Sequence, residues 1–252
     1  MIVYEYPFNE RARTYLRLEH LFERLGILLA RESALDHHFA FVTVFEIIEV
    51  GARSDLKSEI LKDLEKHKQQ FNAYRGNPAI AESALDDVVG QIEHAFAALN
   101  GQSGKVGTAL HDNEWIVSVR SRIGIPAGTC EFALPAYFHW QHHSLEQRRT
   151  DLSRWASTLW PLAQCINLLL KLLRDSGSAQ KVMATNGQFQ QTLPQGRSFQ
   201  LLRLRIDPAL GFIPEISGNR LMVSVRLLRE MGDDKLPTVS GEDASFELTL
   251  CA

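Results

Sequence analysis

The passage SVRSRIGIPAGTCEFALPAYFHW at 118–140 carries a thiol, Cys130, a short way before an imidazole, His139. A cysteine and a histidine within hydrogen-bond reach make a nucleophile and its general base, the core of a cysteine hydrolase. A reactive thiolate also needs an activating environment. No helix start and no Gly-rich oxyanion turn follows Cys130 directly. Cys130, Phe132 and Leu134 instead alternate with their neighbours as the buried side of a strand does, which suits a structural cysteine. His139, His142 and His143 have the i, i+3, i+4 spacing of a helical metal face. No carboxylate or cysteine completes that set nearby, so they read as surface or interface histidines. His37-His38 sits in an apolar helical stretch and reads as packing. GQSGKVGT at 101–108 has the residue types of a phosphate loop but not the G-x-x-x-x-G-K-[ST] spacing. The residues therefore predict no catalytic site, no metal and no cofactor.

Basic side chains offer the other chemistry, recognition of anions. At 100° per residue, Tyr15, Leu18, Phe22, Leu25 and Leu29 share one sector of about 80°. Arg13, Arg17, His20, Arg24 and Arg31 fall in an opposed sector of about 60°, with no carboxylate inside it. A solvated helix usually interleaves glutamates with its cations, so this stripe points to an anionic partner. A second set comes from alternating strands. Arg203 and Arg205 oppose Leu202, Leu204 and Ile206, and Arg220, Ser224 and Arg226 oppose Leu221, Val223 and Val225. These arginines either recognise carboxylates as bidentate forks or keep one sheet face wet, paired with Glu247. Arg120 and Arg122, at a helix end, do not share a face, and one complements the C-terminal dipole. Aromatic residues do not interleave with these cations as they do on a single-strand nucleic-acid platform.

The elements that must position these residues follow from periodicity. Residues 2–6 read as a strand ended by Pro7, and Asn9 caps a helix running to about Ala30. A more buried helix runs from Ser33 or Leu35 to about Val50, and Ser54 caps a third that ends near Gly76. Further helices cover about 82–99, Asn113 to Arg122, Pro135 to Trp140 and two stretches within 145–174. After Gly177 the period changes. Asn186-Gly187 is a strong hairpin signal, and 199–206, 220–228 and 245–250 alternate apolar and polar. The fold class is α+β. A helical domain spans 9–176, with an excursion to the sheet near 125–134. A mostly antiparallel β domain spans 1–8 and 177–252, recruiting the N-terminal strand and a strand at 129–133.

A chain of 252 residues, 45% hydrophobic and 23% charged, is ordered and globular in composition. A net charge of -3 argues against a protein that is basic all over. No apolar run is long enough to span a bilayer, and no secretory signal opens the sequence. Three scattered cysteines form no disulfide framework, which suits a reducing cytosol.

Several segments together are similar to the ZapD family of bacterial cell-division proteins: YEYPFNERARTYLRLEHLF, VRSRIGIPAGTCEFALPAYFHW, SLEQRRTDLSRWASTLWPLAQCINLLLKLLR, the Asn-Gly hairpin, and PEISGNRLMVSVRL. They run in order over nearly the whole chain, and none is a catalytic signature. The resemblance implies a non-enzymatic, cytosolic homodimer that binds the C-terminal tail of FtsZ, the tubulin-like division GTPase. It implies that the dimer crosslinks FtsZ filaments at the midcell ring. Carried over by position, Arg17 in YLRLEH is the first tail-binding candidate and Arg226 in VSVRL the second. Arg120, Arg122, Arg220 and His139 follow, with Arg13 and Arg24 from the helical stripe. Glu114 and Met222 depart from the pattern, standing where the resemblance leads one to expect basic residues. The alternative class is a nucleic-acid-binding protein using the same basic faces, which the acidic balance disfavours.

Overall fold

The computed structural model describes residues 1–53, 55–231 and 235–252. The chain divides into two units, Leu16–Leu169 and the pair of segments Met1–Tyr15 and Leu170–Ala252. The fold class is α+β, with nine α-helices and antiparallel sheets among the described residues.

The helical unit is organised around α2 (Ala34–Gly51), which buries His37, Ala40, Phe41, Thr43, Val44, Phe45, Ile47 and Ile48. A helix apolar on nearly all sides belongs inside a bundle. Ser33 starts it, its hydroxyl accepting from Leu35 N–H. The other helices are α1 (Glu10–Ala30), α3 (Leu56–Asn72), α4 (Glu82–Asn100), α5 (Thr108–His111), α6 (Glu114–Ile123), α7 (Pro135–Gln141), α8 (Leu145–Ser157) and α9 (Trp160–Asp175), with residues 10–15 of α1 and 170–175 of α9 belonging to the other unit. Asn113 caps α6, accepting from Ile116 N–H, and Ser144 with Gln147 forms a capping box on α8. Ser54, expected as the cap of α3, lies outside the described residues. No single helix among the described residues is long and apolar enough to cross a membrane.

Gly90 stands in the interior of α4, and a β-carbon there would meet no atom within 4 Å. Glycine in a helix interior costs about 1 kcal/mol relative to alanine. Gly90→Ala is therefore expected to raise stability by about that amount, read as a higher midpoint of urea unfolding.

The other unit is all antiparallel. β1 (Ile2–Pro7), β4 (Leu201–Ile206), β8 (Ala244–Cys251) and β2 (Ala179–Ala184) form one sheet in the order β1-β4-β8-β2. β3 (Gln188–Thr192), β6 (Met222–Arg229) and β5 (Phe212–Gly218) form the second, with β7 (Thr238–Val239) also on β6. Leu202, Leu204 and Ile206 share one core with Val223, Val225, Leu227, Phe246 and Leu248, the period-2 pattern read from the sequence. Asn186 and Gly187 both have positive φ, 49° and 68°, as a two-residue type I′ hairpin turn requires. A β-carbon on Gly187 would run into the Ser240 carbonyl, so glycine is also required sterically.

Two expectations fail. Residues 129–133 are not a strand. The chain from Gly124 to Leu134 makes successive turns, with Ile125 N bonded to Arg122 O, Gly128 N to Ile125 O, Cys130 N to Ala127 O, and Ala133 N and Leu134 N to Cys130 O. These bonds close between near neighbours, and no strand ladder includes the segment. There is thus no excursion to the sheet. The strand expected over 220–228 starts at Met222, because Asn219 accepts from Leu221 N–H and Met222 N–H and closes the β5–β6 turn. Arg220 lies in that turn rather than on the strand.

Candidate peptide interface

The cations read from the sequence divide between the units. Arg17, Arg24, Arg120, Arg122 and His139 belong to the helical unit, and Arg13, Arg220 and Arg226 to the other. Many are already matched by anions. Arg13 pairs with Glu10 at 3.3 Å. Arg24 donates to Thr43 Oγ1 at 3.0 Å and is ion-paired with Glu46. Arg31 pairs with Asp36 at 3.2 Å. The α1 stripe therefore has carboxylates, Glu10 from the first turn of α1 and Asp36 and Glu46 from α2. On the sheets, Arg226 faces Glu215 in register and is ion-paired with it. Arg203 meets Glu5 at 2.9 Å and Arg205 meets Glu247 at 3.1 Å, the pairing that keeps a sheet face wet. Arg120 lies 3.2 Å from His111 Nδ1.

Four candidates remain exposed without an ion-pair partner among the described residues: Arg17, Arg122, Arg220 and His139. Arg122 and His139 flank the run of turns between α6 and α7. Three apolar side chains in this corner also face solvent: Phe132 is 84% exposed, Ile125 49% and Phe138 38%. Sequence reading missed Phe132 and Ile125. Their signal was present as large apolar residues within a Gly/Pro-rich passage, but the strand reading placed Phe132 in a core.

The corner is rigidly founded. Trp115 on α6 contacts Tyr137 and Trp140 on α7 at 6.1 and 5.8 Å between ring centroids. Phe41 of α2 touches Trp115, Tyr137, Trp140 and Trp155 at 4.9–5.9 Å. Such aromatic contacts add about 0.5–1.5 kcal/mol each beyond area burial. Tyr137 hydroxyl bonds His38 Nδ1 at 2.9 Å. Burial pushes the Tyr137 phenol above its ordinary pKa and the His38 imidazole below its own, so a neutral phenol donates to a neutral ring. Trp140 Nε1 donates to Asp151 at 3.1 Å. Gly128 folds the turns onto the end of α6, where a β-carbon would lie 2.4 Å from the Arg122 carbonyl oxygen.

His139 makes its ring contact with His143 at 5.1 Å, and no hydrogen bond joins it to Cys130 among the described residues. His142 Nδ1 bonds the Phe138 carbonyl at 2.8 Å. Among the described residues no three His, Cys, Asp or Glu side chains are placed to hold a metal. Cys165 is buried, its thiol pushed up to about 12, and donates to the Ala95 carbonyl at 3.4 Å. Glu114 sits in the first turn of α6, where a carboxylate complements the helix dipole and a cation would oppose it. Met222 opens β6 and is 38% exposed. The corner presents an unmatched arginine and a histidine beside exposed apolar groups on a fixed base, an arrangement that can hold a short peptide carrying carboxylates and apolar side chains.

Comparison with known proteins bears on the family of the chain. The family model for ZapD, described as a cell division protein, matches residues 16–226. A "Cell division protein ZapD" of Ralstonia pickettii is 51% identical over 252 residues, covering 100% of this chain and 99% of the relative. The protein of the same name from Ralstonia nicotianae is 51% identical over the same coverage. A matching family model over most of the chain and full-length identity of this order lead to one conclusion: the chain belongs to the ZapD family of cell-division proteins.

Proposed function

We propose that this protein is a non-enzymatic division factor, a homodimer that binds the C-terminal tail of FtsZ and crosslinks FtsZ filaments in the cytoplasm at the midcell ring. The observation that carries the reading is the α6–α7 corner, where exposed Phe132 and Ile125 lie between the unmatched Arg122 and His139. A disordered tail that orders on binding pays an entropic cost, so each contact is weak. Two symmetric sites on one dimer facing many tails on a filament turn weak contacts into avidity. Arg17 on the helical unit and Arg220 on the other are further exposed cations available to an anionic tail. Arg13, Arg24 and Arg226 would reach a tail carboxylate only by exchanging Glu10, Glu46 and Glu215 for it. That matching also disfavours nucleic acid, which requires a continuous cationic surface.

Co-sedimentation with FtsZ tests the reading. Full-length FtsZ is expected to pellet as bundles with this protein, less so as salt is raised. FtsZ lacking its C-terminal tail is expected to give none, and the protein alone should have twice the mass of one chain by light scattering. Undiminished bundling of tail-less FtsZ would refute tail binding, and a strict monomer would refute crosslinking by a dimer.

A further inference from the structure

A groove of about 620 Å³ runs between α1 and α9 on a flank of α1 away from its basic stripe. Phe22 and Trp160 form an aromatic wall, their rings 6.1 Å apart, and Gln164 lines the α9 side. Glu19 and Glu23 line the α1 side one helical turn apart. Two features of α1 are unfavourable for the helix itself. Like charges at i, i+4 repel, and Glu23 is exposed with no ion pair among the described residues. Gly26 stands in the helix interior, where glycine is the least favoured residue after proline. A β-carbon on Gly26 would meet nothing within 4 Å, so no neighbouring side chain requires the glycine. Both features lie on the groove, and a cation there would offset the carboxylate charge. The absence of a side chain at Gly26 leaves space, the carboxylates supply charge, and the Trp160 face supplies a surface on which a guanidinium stacks.

We propose that the α1–α9 groove docks a basic segment of a protein partner, one arginine entering over Gly26 with its guanidinium between the Trp160 ring and the Glu23 carboxylate. The site is acidic and separate from the cationic α6–α7 corner, so it does not depend on the tail-binding reading. The chain labelled with fluorotryptophan reports it by fluorine NMR, with Trp115, Trp140, Trp155 and Trp160 as the four signals and Trp160→Phe as the assignment. The probe is acetylated tetra-arginine amide, with tetra-glutamate amide as the control. Tetra-arginine is expected to move the Trp160 signal saturably and leave the other three in place, and tetra-glutamate to move none. Glu23→Lys should raise the Kd about tenfold or more, and Gly26→Leu, which fills the groove, should abolish the shift while leaving the other three signals unchanged. A Trp160 signal unmoved by tetra-arginine, or moved equally in Gly26→Leu, would overturn the proposal. So would movement of Trp160 on concentrating the protein without peptide, which would assign the groove to a second copy of the chain.

Discussion

Arg148→Met is expected to destabilise the helical unit by about 2–3 kcal/mol, the cost of leaving buried acceptors without their charged donor. Arg148 is 8% exposed, and its partners among the described residues are neutral. Its guanidinium donates to His37 Nδ1 at 3.0 Å, to Glu32 O at 2.8 Å, to Gln141 O at 3.3 Å and to His143 O. One side chain thus ties α8 to α2, to the end of α7 and to the link after α1. Methionine fills much of the volume but leaves an imidazole nitrogen and three carbonyls to find other donors. The loss is read as a lower midpoint of urea unfolding.

The same network sets a pH dependence. His37 Nε2 bonds the Arg31 carbonyl at 3.0 Å, so that nitrogen carries the proton and Nδ1 is left to accept from Arg148. Protonating Nδ1 would turn two donors against each other. Burial lowers the His37 pKa, and the Arg148 and Arg149 charges lower it further, against the Arg31 carbonyl and Asp36, which raise it. Burial also lowers His38 and His67, the latter with Lys66 lowering and Asp63 raising it. Below about pH 6.5, the ordinary histidine value, the unfolded chain binds protons at these positions while the folded chain does not. Unfolding then takes up protons, so stability is full above that pH and falls as the pH drops toward the lowered folded values. In Arg148→Met the repelling charge is gone and the His37 pKa rises, so the acid-dependent part of the loss should be smaller than in the parent.

Phe132→Ala combined with Arg122→Glu is expected to weaken binding of a labelled FtsZ tail peptide about tenfold or more by fluorescence anisotropy, with stability lowered by no more than the about 0.3–1 kcal/mol that an anion in the last turn of α6 costs. An exposed aromatic anchor beside an arginine is the kind of contact that dominates peptide recognition. At 84% exposure Phe132 contributes almost nothing to the core, and Arg122 has no ion pair to lose among the described residues, so folding is not at stake. Unchanged affinity in the double variant would move the tail away from this corner, with Arg17→Glu and Arg220→Glu as the next variants to read.

What the sequence made legible was whatever depends on near neighbours. The Asn186-Gly187 turn, the alternation at 202–206 and the caps Ser33 and Asn113 are local statements and hold in the structure. β5 was not read because Pro214 breaks the strand signature, and it is tolerated there because β5 is an edge strand of its sheet. The alternation around Cys130 suggested a strand, but each turn closes on its own neighbours and Phe132 faces solvent. The charge state of the candidate site was the least legible part. Glu46, Asp36 and Glu215 reach their arginines from other elements, so a helical wheel or a strand pattern could not count them. Arg148 was hidden for the same reason: in SLEQRRTDL it reads as a wet helix face, and only packing against α2 reveals it as buried.

The strand order β1-β4-β8-β2 bears on how the chain is made. Ile2–Pro7 leaves the ribosome early, yet its only ladder partner among the described residues is Leu201–Ile206, which in turn needs Ala244–Cys251 beside it. At about 5–20 residues per second of translation, the first strand waits roughly 10–40 s for its neighbours. Throughout that time Leu16–Leu169 is a contiguous stretch free to fold, while the amino-terminal strand carries an open edge. A nascent chain interrupted before Ala244 would hold a complete helical unit and an unzippered sheet, a species that chaperones and proteases can tell from the finished protein.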